Sequence, residues 1–152
     1  MNRERDEPEL FGRLFVLSQH LTRRADEALA RFGLTSRQWL LLAVLSRAFP
    51  GTSPTLTEAA RVYGTSRQNV KQVALQLAAR GYLDLLPDPA DRRATRLVLT
   101  EGVALFDEPG VAAAQSAFIA GIFAPLTDAE VATLRSLVGR CLPPLEDDKE
   151  SR

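Results

Sequence analysis

Two helix-start signals lie ten residues apart in the middle of this chain, with a helix-stop signal between them. Thr55 and Glu58 form a capping box, in which two side chains three residues apart satisfy free N–H groups at the start of a helix. Gly64 predicts the end of that helix, because glycine readily adopts the left-handed conformation that follows a helix C-terminus. Thr65 and Gln68 repeat the capping box at once. The chain must therefore form two helices here, joined by a very tight turn.

The second helix of this pair is predicted to run from about Ser66, which competes with Thr65 as its N-cap, to Arg80 and to end at Gly81. The apolar residues at helical spacing, which predict its buried face, are Val70, Val73, Ala74 and Leu77. At about 100° per residue, the opposite face carries Gln68, Gln72, Leu75 and Ala79, flanked by Asn69 and Lys71. The helix therefore presents a mostly polar face outward.

The hydrophobic period changes after Gly81. Residues 82–86 and 95–99 are short, partly alternating runs that predict two β-strands. Residues 87–94 between them contain two prolines and four charged side chains, which predict a hairpin with a stiff, charged loop. A tight helix pair followed by a two-stranded hairpin is a winged helix-turn-helix, whose second helix enters the major groove of DNA. We therefore expect a mainly α fold with a two-stranded β-wing, the winged helix-turn-helix occupying residues 35–100.

Helices are also predicted before this unit. Residues 9–31 repeat apolar side chains at the spacing of an amphipathic helix, and Gly33 follows as its C-terminal cap. Thr35 and Gln38 form a capping box that begins the next helix. Residues 39–45 make that helix apolar nearly all round, so we expect it to lie in the core.

Further helices are predicted after the wing. Thr100 caps a helix that Pro109 and Gly110 should kink or interrupt before residues 111–123 continue it. Thr127 opens a final capping box for a helix that a pair of prolines ends. Residues 143–152 are predicted to form a disordered tail.

Apolar stripes on the terminal helices lie outside the compact winged unit. They consist of Leu10, Phe11, Leu14 and Leu17 at one end, and of Leu134, Leu137, Val138 and Leu142 at the other. A two-fold partner would bury them, so residues 8–32 and 101–142 are predicted to form a helical dimerisation region. The alternative is that both stripes pack within one chain. Cys141 beside this stripe is expected to be an inert packed thiol, with a redox sensor as the alternative.

Nine polar side chains on the predicted helix and wing suit DNA contact: Ser66, Arg67, Gln68, Asn69, Lys71, Gln72, Arg92, Arg93 and Arg96. The amides can pair with base edges, and Gln or Asn bonds adenine bidentately. Arg67 can reach guanine or phosphate, Lys71 can reach phosphate, and Ser66 with the free N–H groups of the helix start suits a phosphate oxygen. The wing arginines would reach the minor groove or the backbone. The alternative for each residue is an ordinary solvated side chain.

The distribution of charge supports this interpretation, although the total does not. Nineteen basic residues balance nineteen acidic ones, and a pI near 6.6 argues at face value against a binder of polyanions. Residues 13–47 and 61–100, however, each carry a net charge of +4, whereas residues 101–152 carry −5. The chain is therefore predicted to have a basic central face between acidic ends.

Several functional classes are excluded by composition. One cysteine and one histidine, His20, cannot supply a disulfide framework or a multi-histidine metal site, so we expect no metal and no cofactor. No apolar run is long enough to span a bilayer, and the N-terminus leads into no signal-peptide region. We therefore expect a cytoplasmic protein without membrane contact.

The segments LTEAA (56–60), TSRQNV (65–70), LAARGYL (77–83), DPADRR (88–93) and LVLT (97–100) resemble the multiple antibiotic resistance regulator (MarR) family of winged-helix transcription factors. The resemblance covers about residues 10–142. It implies a homodimer on a palindromic operator in double-stranded DNA, usually a repressor relieved by a small-molecule inducer or by oxidation. It also implies that Asp91 and Arg93 stabilise the wing, with Arg93 near DNA. The outward Leu75 and the break at Pro109 depart from the family pattern.

The resemblance further places a ligand crevice between the dimerisation helices and the DNA-binding lobe. Parts of the first two helices should line it, with His20, Arg24 and Trp39 as candidate residues. His20 has a surface or interface histidine as its alternative.

Two other functions compete with DNA binding. A hydrolase using Asp88, Asp91 and His20 is disfavoured, because the sequence has no phosphate-binding glycine loop, nucleophile elbow or second histidine. We therefore expect that the protein is not an enzyme. The other alternative is a winged-helix protein-interaction module without an operator, which would have no need of three cations on its wing.

Overall fold

The computed structural model describes residues 2–144. Within that range the chain forms six α-helices, two short 3₁₀ helices and one antiparallel hairpin. The α-helices are α1 (Arg3–Leu29), α2 (Ser36–Ala48), α3 (Leu56–Tyr63), α4 (Arg67–Ala79), α5 (Pro109–Phe123) and α6 (Asp128–Cys141). The strands are β1 (Leu83–Pro87) and β2 (Thr95–Leu99), and the 3₁₀ helices are Ala30–Phe32 and Glu101–Asp107. The predicted mainly α fold with a two-stranded wing is confirmed.

The predicted capping signals define most helix ends. At Thr35, Thr55 and Thr127, both halves of the capping box are formed. Gly33 and Gly64 end their helices in the left-handed conformation, with φ of 66° and 83°. These ends were predictable because each depends on residues only three or four positions apart.

The N-cap of α4 is Ser66 rather than Thr65. The N–H groups of Gly64 and Thr65 both donate to the carbonyl of Ala60, so these two residues complete the end of α3. Ser66 then begins α4 by accepting a hydrogen bond from the N–H of Asn69 at 3.2 Å. The competing cap identified in the sequence is therefore the one used.

The first helix begins at Arg3, six residues before the predicted start at residue 9. Acidic residues in its first turn favour the positive end of the helix dipole. Ion pairs at i,i+4 spacing join Arg3 to Glu7 and Arg13 to Glu9 on its exposed surface. The prediction followed apolar periodicity alone, which does not reach this polar first segment.

Pro109 interrupts the helical segment after the wing, as one of the two predicted outcomes, and starts a new helix. Thr100 caps the 3₁₀ helix Glu101–Asp107, where an α-helix was predicted, and Glu108 is extended at φ −60° and ψ 132°. Proline disfavours the α conformation in the residue before it and has no N–H to donate. Pro109 consequently occupies the first position of α5, where neither property costs stability.

The buried core lies in the winged helix-turn-helix. It comprises Leu34, Leu41, Leu42, Leu45, Leu56, Ala59, Ala60, Val70, Ala74, Leu77, Tyr82, Leu83 and Leu97. The helix α2 supplies three of these leucines, but its Leu40 is exposed and Trp39 is half-buried, so α2 is not buried all round as predicted. In the wing, β1 pairs with β2 so that Leu83 lies opposite Leu99.

The terminal helices bury none of their residues within the described chain. Phe11 in the first stripe is 66% exposed, and Leu137 in the last stripe is 49% exposed. Cys141 is exposed as well, so it is not packed within a single chain. The stripes therefore do not pack against each other in one protomer, which was the alternative to dimerisation.

No single helix within residues 2–144 is long and apolar enough to cross a membrane; α5 and α6 meet the length and composition only as a pair bent by 90°. Of the predicted tail, residues 145–152 lie outside the described part of the chain.

Candidate nucleic-acid interface and adjoining cavity

The packing of α4 fixes which of its residues face outward. Val70, Ala74 and Leu77 are fully buried against the core. The opposite side of the helix is exposed along its whole length, and the exposed residues in its first half are Arg67, Gln68, Asn69, Lys71 and Gln72. The structure thus brings the predicted α4 residues together on one accessible face that begins at the N-cap Ser66.

The amides of α4 and its surroundings differ in their hydrogen bonding. Nδ2 of Asn69 donates to Oγ1 of Thr65 at 3.0 Å. Oε1 of Gln76 accepts from Nε2 of the buried Gln38 at 3.0 Å. The sequence identified Gln38 only as part of a capping box, and it missed this bond between α2 and α4.

The wing loop is shaped by two aspartates that bind backbone N–H groups. Oδ1 of Asp91 accepts from the N–H of Arg93 at 3.0 Å, and Oδ1 of Asp88 accepts from the N–H of Ala90 at 2.7 Å. The backbone of Ala94 closes the loop through bonds to both aspartates. Asp91 therefore shapes the wing through the main chain of Arg93, and within residues 2–144 the two side chains form no ion pair.

The three wing arginines have different environments. Arg92 and Arg93 are exposed, and neither guanidinium has a hydrogen bond or ion pair among residues 2–144. Arg96 is held within the fold: its Nη2 lies 2.6 Å from Oδ2 of Asp88, and its Nη1 donates to the carbonyl of Ser53 at 2.6 Å. Of the three predicted wing cations, only two are therefore available to a ligand.

The carboxylate of Asp88 is stabilised in its charged form. The hydrogen bond from the N–H of Ala90, with a smaller contribution from Arg96, lowers the pKa of Asp88 below its ordinary value. Sequence reasoning missed this pair, although hairpin register offered a signal: Pro87 lies opposite Thr95, so Asp88 and Arg96 are diagonal neighbours across the strands.

A cavity of about 440 Å³ lies between α1, α2 and α5. The lining is mainly apolar and includes Ala28, Phe32, Trp39, Phe106, Ala114 and Phe118. Trp39 was among the predicted ligand-contacting residues. Arg24 does not line the cavity, but its guanidinium lies 6.0 Å from the ring centre of Phe118, which does. His20 is exposed and does not line this cavity, because its position on α1 lies outside the stretch that faces α5.

An aromatic cluster connects this cavity to the winged unit. The ring of Phe106 lies 6.4 Å from that of Phe32 and 6.2 Å from that of Tyr82, measured between ring centres. Tyr82 is buried between the end of α4 and the start of β1. Only the ring of Phe106 thus separates a group bound in the cavity from Tyr82, which lies where α4 joins the wing.

Comparison with known proteins agrees with this geometry. A family model described as the MarR family matches residues 32–94, from the end of the first helical segment to the wing loop. A solved structure of a probable transcriptional regulator from Pseudomonas aeruginosa has a TM-score of 0.66 and 28% identity, covering 84% of this chain and 94% of that chain. Residues 32–94 thus match the MarR family, and the predicted resemblance to that family is confirmed. MarR proteins are transcription regulators and not a family of enzymes.

A mutant MarR of Escherichia coli complexed with operator DNA shares the MarR fold, with a TM-score of 0.77 and 24% identity over 94% of this chain and all of that chain. Among curated relatives, an uncharacterized protein of Mycobacterium tuberculosis is 39% identical over 93 residues, or 60% of this chain and 62% of that protein. The transcriptional activatory protein BadR of Rhodopseudomonas palustris is 30% identical over 92 residues, again 60% of this chain. The chain thus spans about half the length of BadR, 53%.

Proposed function

We propose that this protein is a sequence-specific regulator of transcription that binds double-stranded DNA as a homodimer in the cytoplasm. The observation that carries the proposal is the coincidence of two accessible polar surfaces. One is the outward face of α4, with Arg67, Lys71 and two glutamines, and the other is the wing tip. A helix in the major groove and a cationic wing beside it would engage both the bases and the backbone.

The contacts divide by the chemistry of each side chain. The N-cap Ser66 and the free N–H groups at the start of α4 suit a phosphate oxygen. Lys71, Arg92 and Arg93 supply cations for the backbone, and Asp91 holds the wing loop that presents two of them. In this proposal Arg96 supports the wing and does not itself contact DNA, because its guanidinium is already bonded within the chain.

The exposed terminal helices support the homodimer. Two separate stripes of large apolar side chains are exposed to solvent in a single chain. A two-fold partner would bury both stripes. A two-fold dimer would also present two copies of α4, matching operator half-sites about 34–36 Å apart. The expected operator is therefore palindromic. The proposed dimerisation region consists of residues 8–32 and 101–142, and it flanks the winged unit at residues 35–100.

The cavity beside Trp39 supports a response to a small molecule. It is apolar, has the volume of a small-ligand pocket, and adjoins the aromatic cluster that reaches Tyr82. A ligand that binds better to a conformation unable to hold DNA would release the protein from its operator. On this basis we propose that the protein is a repressor relieved by a small-molecule inducer. BadR is named an activator, so the sign of regulation needs a direct reporter test.

Selection of bound sequences from random DNA with the purified protein tests the central proposal. An enriched inverted repeat is expected, with its half-sites about one helical turn apart. If about six phosphates are neutralised per dimer, a plot of the logarithm of the DNA association constant against the logarithm of the salt concentration should have a slope of about −5. Recovery of no common sequence, together with a slope near zero, would overturn the proposal and favour a protein-interaction module.

A further inference from the structure

The exposed face of α4 contains a line of three side chains that have no partner within residues 2–144. Gln68, Gln72 and Leu75 are spaced four and three residues apart, so they lie along one side of the helix. All three are exposed. The other amides of the helix, Asn69 and Gln76, are hydrogen-bonded within the fold. The structure thus separates two amides without a hydrogen bond to residues 2–144 from two that each already make one.

Leu75 is the residue on this line that needs a further explanation. It is 51% exposed and lies opposite the buried face of α4, so it does not contribute to the core. Its neighbours on the helix surface, three and four positions away, are Lys71 and Gln72 on one side and Ala78 and Ala79 on the other. An exposed apolar side chain at the end of a polar recognition surface is suited to an apolar group on the partner.

We propose that Gln68, Gln72 and Leu75 read A·T base pairs, the glutamines bonding adenine and Leu75 contacting the methyl group of thymine. This inference rests on the proposed function and names what the same surface recognises. In the major groove, adenine presents the N7 acceptor and N6 donor that a glutamine amide matches bidentately. Thymine is the only base with a methyl group in that groove, and an apolar side chain recognises it.

The length of the line fits a short run of base pairs. Seven residues of helix rise about 10 Å, which equals about three base-pair steps. The helix of a zinc finger, which also enters the major groove, reads three successive bases with side chains spread over a similar length. Each half-site should therefore contain A·T pairs within a stretch of about three positions, with a thymine methyl at the end read by Leu75.

Base analogues in the selected operator test each contact separately. Replacing one thymine by deoxyuridine removes only the methyl group, and replacing one adenine by 7-deazaadenine removes only the N7 acceptor. For the wild-type protein, deoxyuridine at the proposed position should weaken binding about fourfold, the value of one buried methyl group. Loss of one of the two adenine bonds should weaken binding about fivefold or more.

Variants assign these losses to residues. Leu75→Ala should bind the thymine and deoxyuridine operators equally, whereas Leu86→Ala, a control that removes a leucine of similar exposure from β1, should discriminate as the wild type does. Gln72→Ala and Gln68→Ala should each become insensitive to 7-deazaadenine at one position. Gln76→Ala is the control: Oε1 of Gln76 already accepts a hydrogen bond from Gln38, so this variant should remain as sensitive to 7-deazaadenine as the wild type.

The outcomes separate this inference from the proposed function. If an inverted repeat is enriched but no analogue changes binding, or if Leu75→Ala still discriminates thymine from deoxyuridine, the assignment of A·T reading to this line is wrong and DNA binding stands. If no sequence is enriched at all, the proposed function itself fails. The exposed position of all three side chains means that the variants should keep the wild-type melting temperature, which a thermal melt checks.

Discussion

The guanidinium of Arg96 pairs with the carboxylate of Asp88 at the base of the wing, with its Nε 2.7 Å from Oδ2. The same guanidinium bonds the carbonyl of Ser53, and the backbone of Arg96 forms a bridge with Thr55, the N-cap of α3. Arg96 therefore joins the hairpin to the start of the helix-turn-helix. The guanidinium thus helps to set the position of the wing relative to α3, together with the backbone bond from Leu97 to Pro54 and the burial of Leu97 in the core.

The wing arginines should consequently respond differently to truncation. Arg96→Ala leaves the carboxylate of Asp88 without its ion pair, so we expect a melting temperature lower by a few degrees and weaker operator binding at all salt concentrations. Arg93→Ala removes a free cation, so the melting temperature should stay unchanged while the salt slope falls by about two per dimer, one for each wing. Thermal melts and binding titrations between 50 and 200 mM salt, the range over which about 1000-fold changes occur, measure both. Equal effects of the two substitutions would contradict this division.

The lowered pKa of Asp88 predicts a dependence of wing stability on pH. Because the folded pKa lies below the unfolded value of about 3.9, the contribution to stability is present above that value. It is lost as pH falls through the folded pKa. Wild type should therefore melt above Asp88→Asn by a constant margin from pH 5 to 7, and the margin should shrink below about pH 4. A margin that grows on acidification would show that another group is responsible.

Local signals explain how much of the fold was predictable. The caps at Thr35, Thr55 and Thr127 and the turn at Gly64 each depend on residues close in sequence, so their positions followed from the chain alone. The fold class and the outward face of α4 followed from periodicity in the same way. The replacement of an α-helix by a 3₁₀ helix before Pro109 did not, since proline position sets where a helix restarts but not which helix precedes it.

The partners of the candidate site residues were much less predictable. Arg96 bonds a carbonyl 43 positions away, and Gln38 bonds Gln76 38 positions away. Contacts of this kind exist only after distant segments have packed together, so no spacing rule reports them. From sequence, Arg96 resembled Arg92 as a wing cation, and only its environment distinguishes a residue that holds the wing from one that is free to bind.

The exposed stripes predict that a single charge can separate the protomers. Leu137→Glu places a carboxylate on the stripe of α6, so the protein should become monomeric in analytical ultracentrifugation while its circular dichroism remains that of a folded chain. Affinity for the full inverted repeat should then fall by about 100-fold or more, because two linked half-sites are no longer bound together. Leu86→Glu, a control on the wing strand with 46% exposure, should remain dimeric. A dimer that survives Leu137→Glu would place the interface elsewhere.

Two glycines with positive φ should tolerate alanine about equally. Gly33 and Gly51 have φ of 66° and 70°, so either substitution costs about 1–2 kcal/mol through the backbone. A Cβ on Gly33 would also lie 2.5 Å from Nη1 of Arg80, whereas a Cβ on Gly51 would meet no atom within 4 Å. That nitrogen is the far end of a flexible, exposed side chain that can turn away, so both substitutions should lower the free energy of unfolding by similar amounts in urea titrations. A clearly larger loss for Gly33→Ala, removed by Arg80→Ala in the same chain, would contradict this expectation.

Filling the cavity should abolish a response to apolar ligands without changing the DNA-binding surface. The dye ANS, an apolar aromatic probe, should bind the cavity and weaken operator binding by the wild-type protein, because the cavity wall includes Phe106, which contacts Tyr82 at the junction of α4 and the wing. Ala114→Trp places a large ring in the cavity, so both the dye fluorescence and its effect on operator affinity should be lost. Ala113→Trp adds the same ring on an exposed part of α5 that does not line the cavity, and it should respond as the wild type does. If Ala114→Trp loses dye binding but the dye still weakens operator binding, the effect arises at another site and this cavity does not control DNA binding.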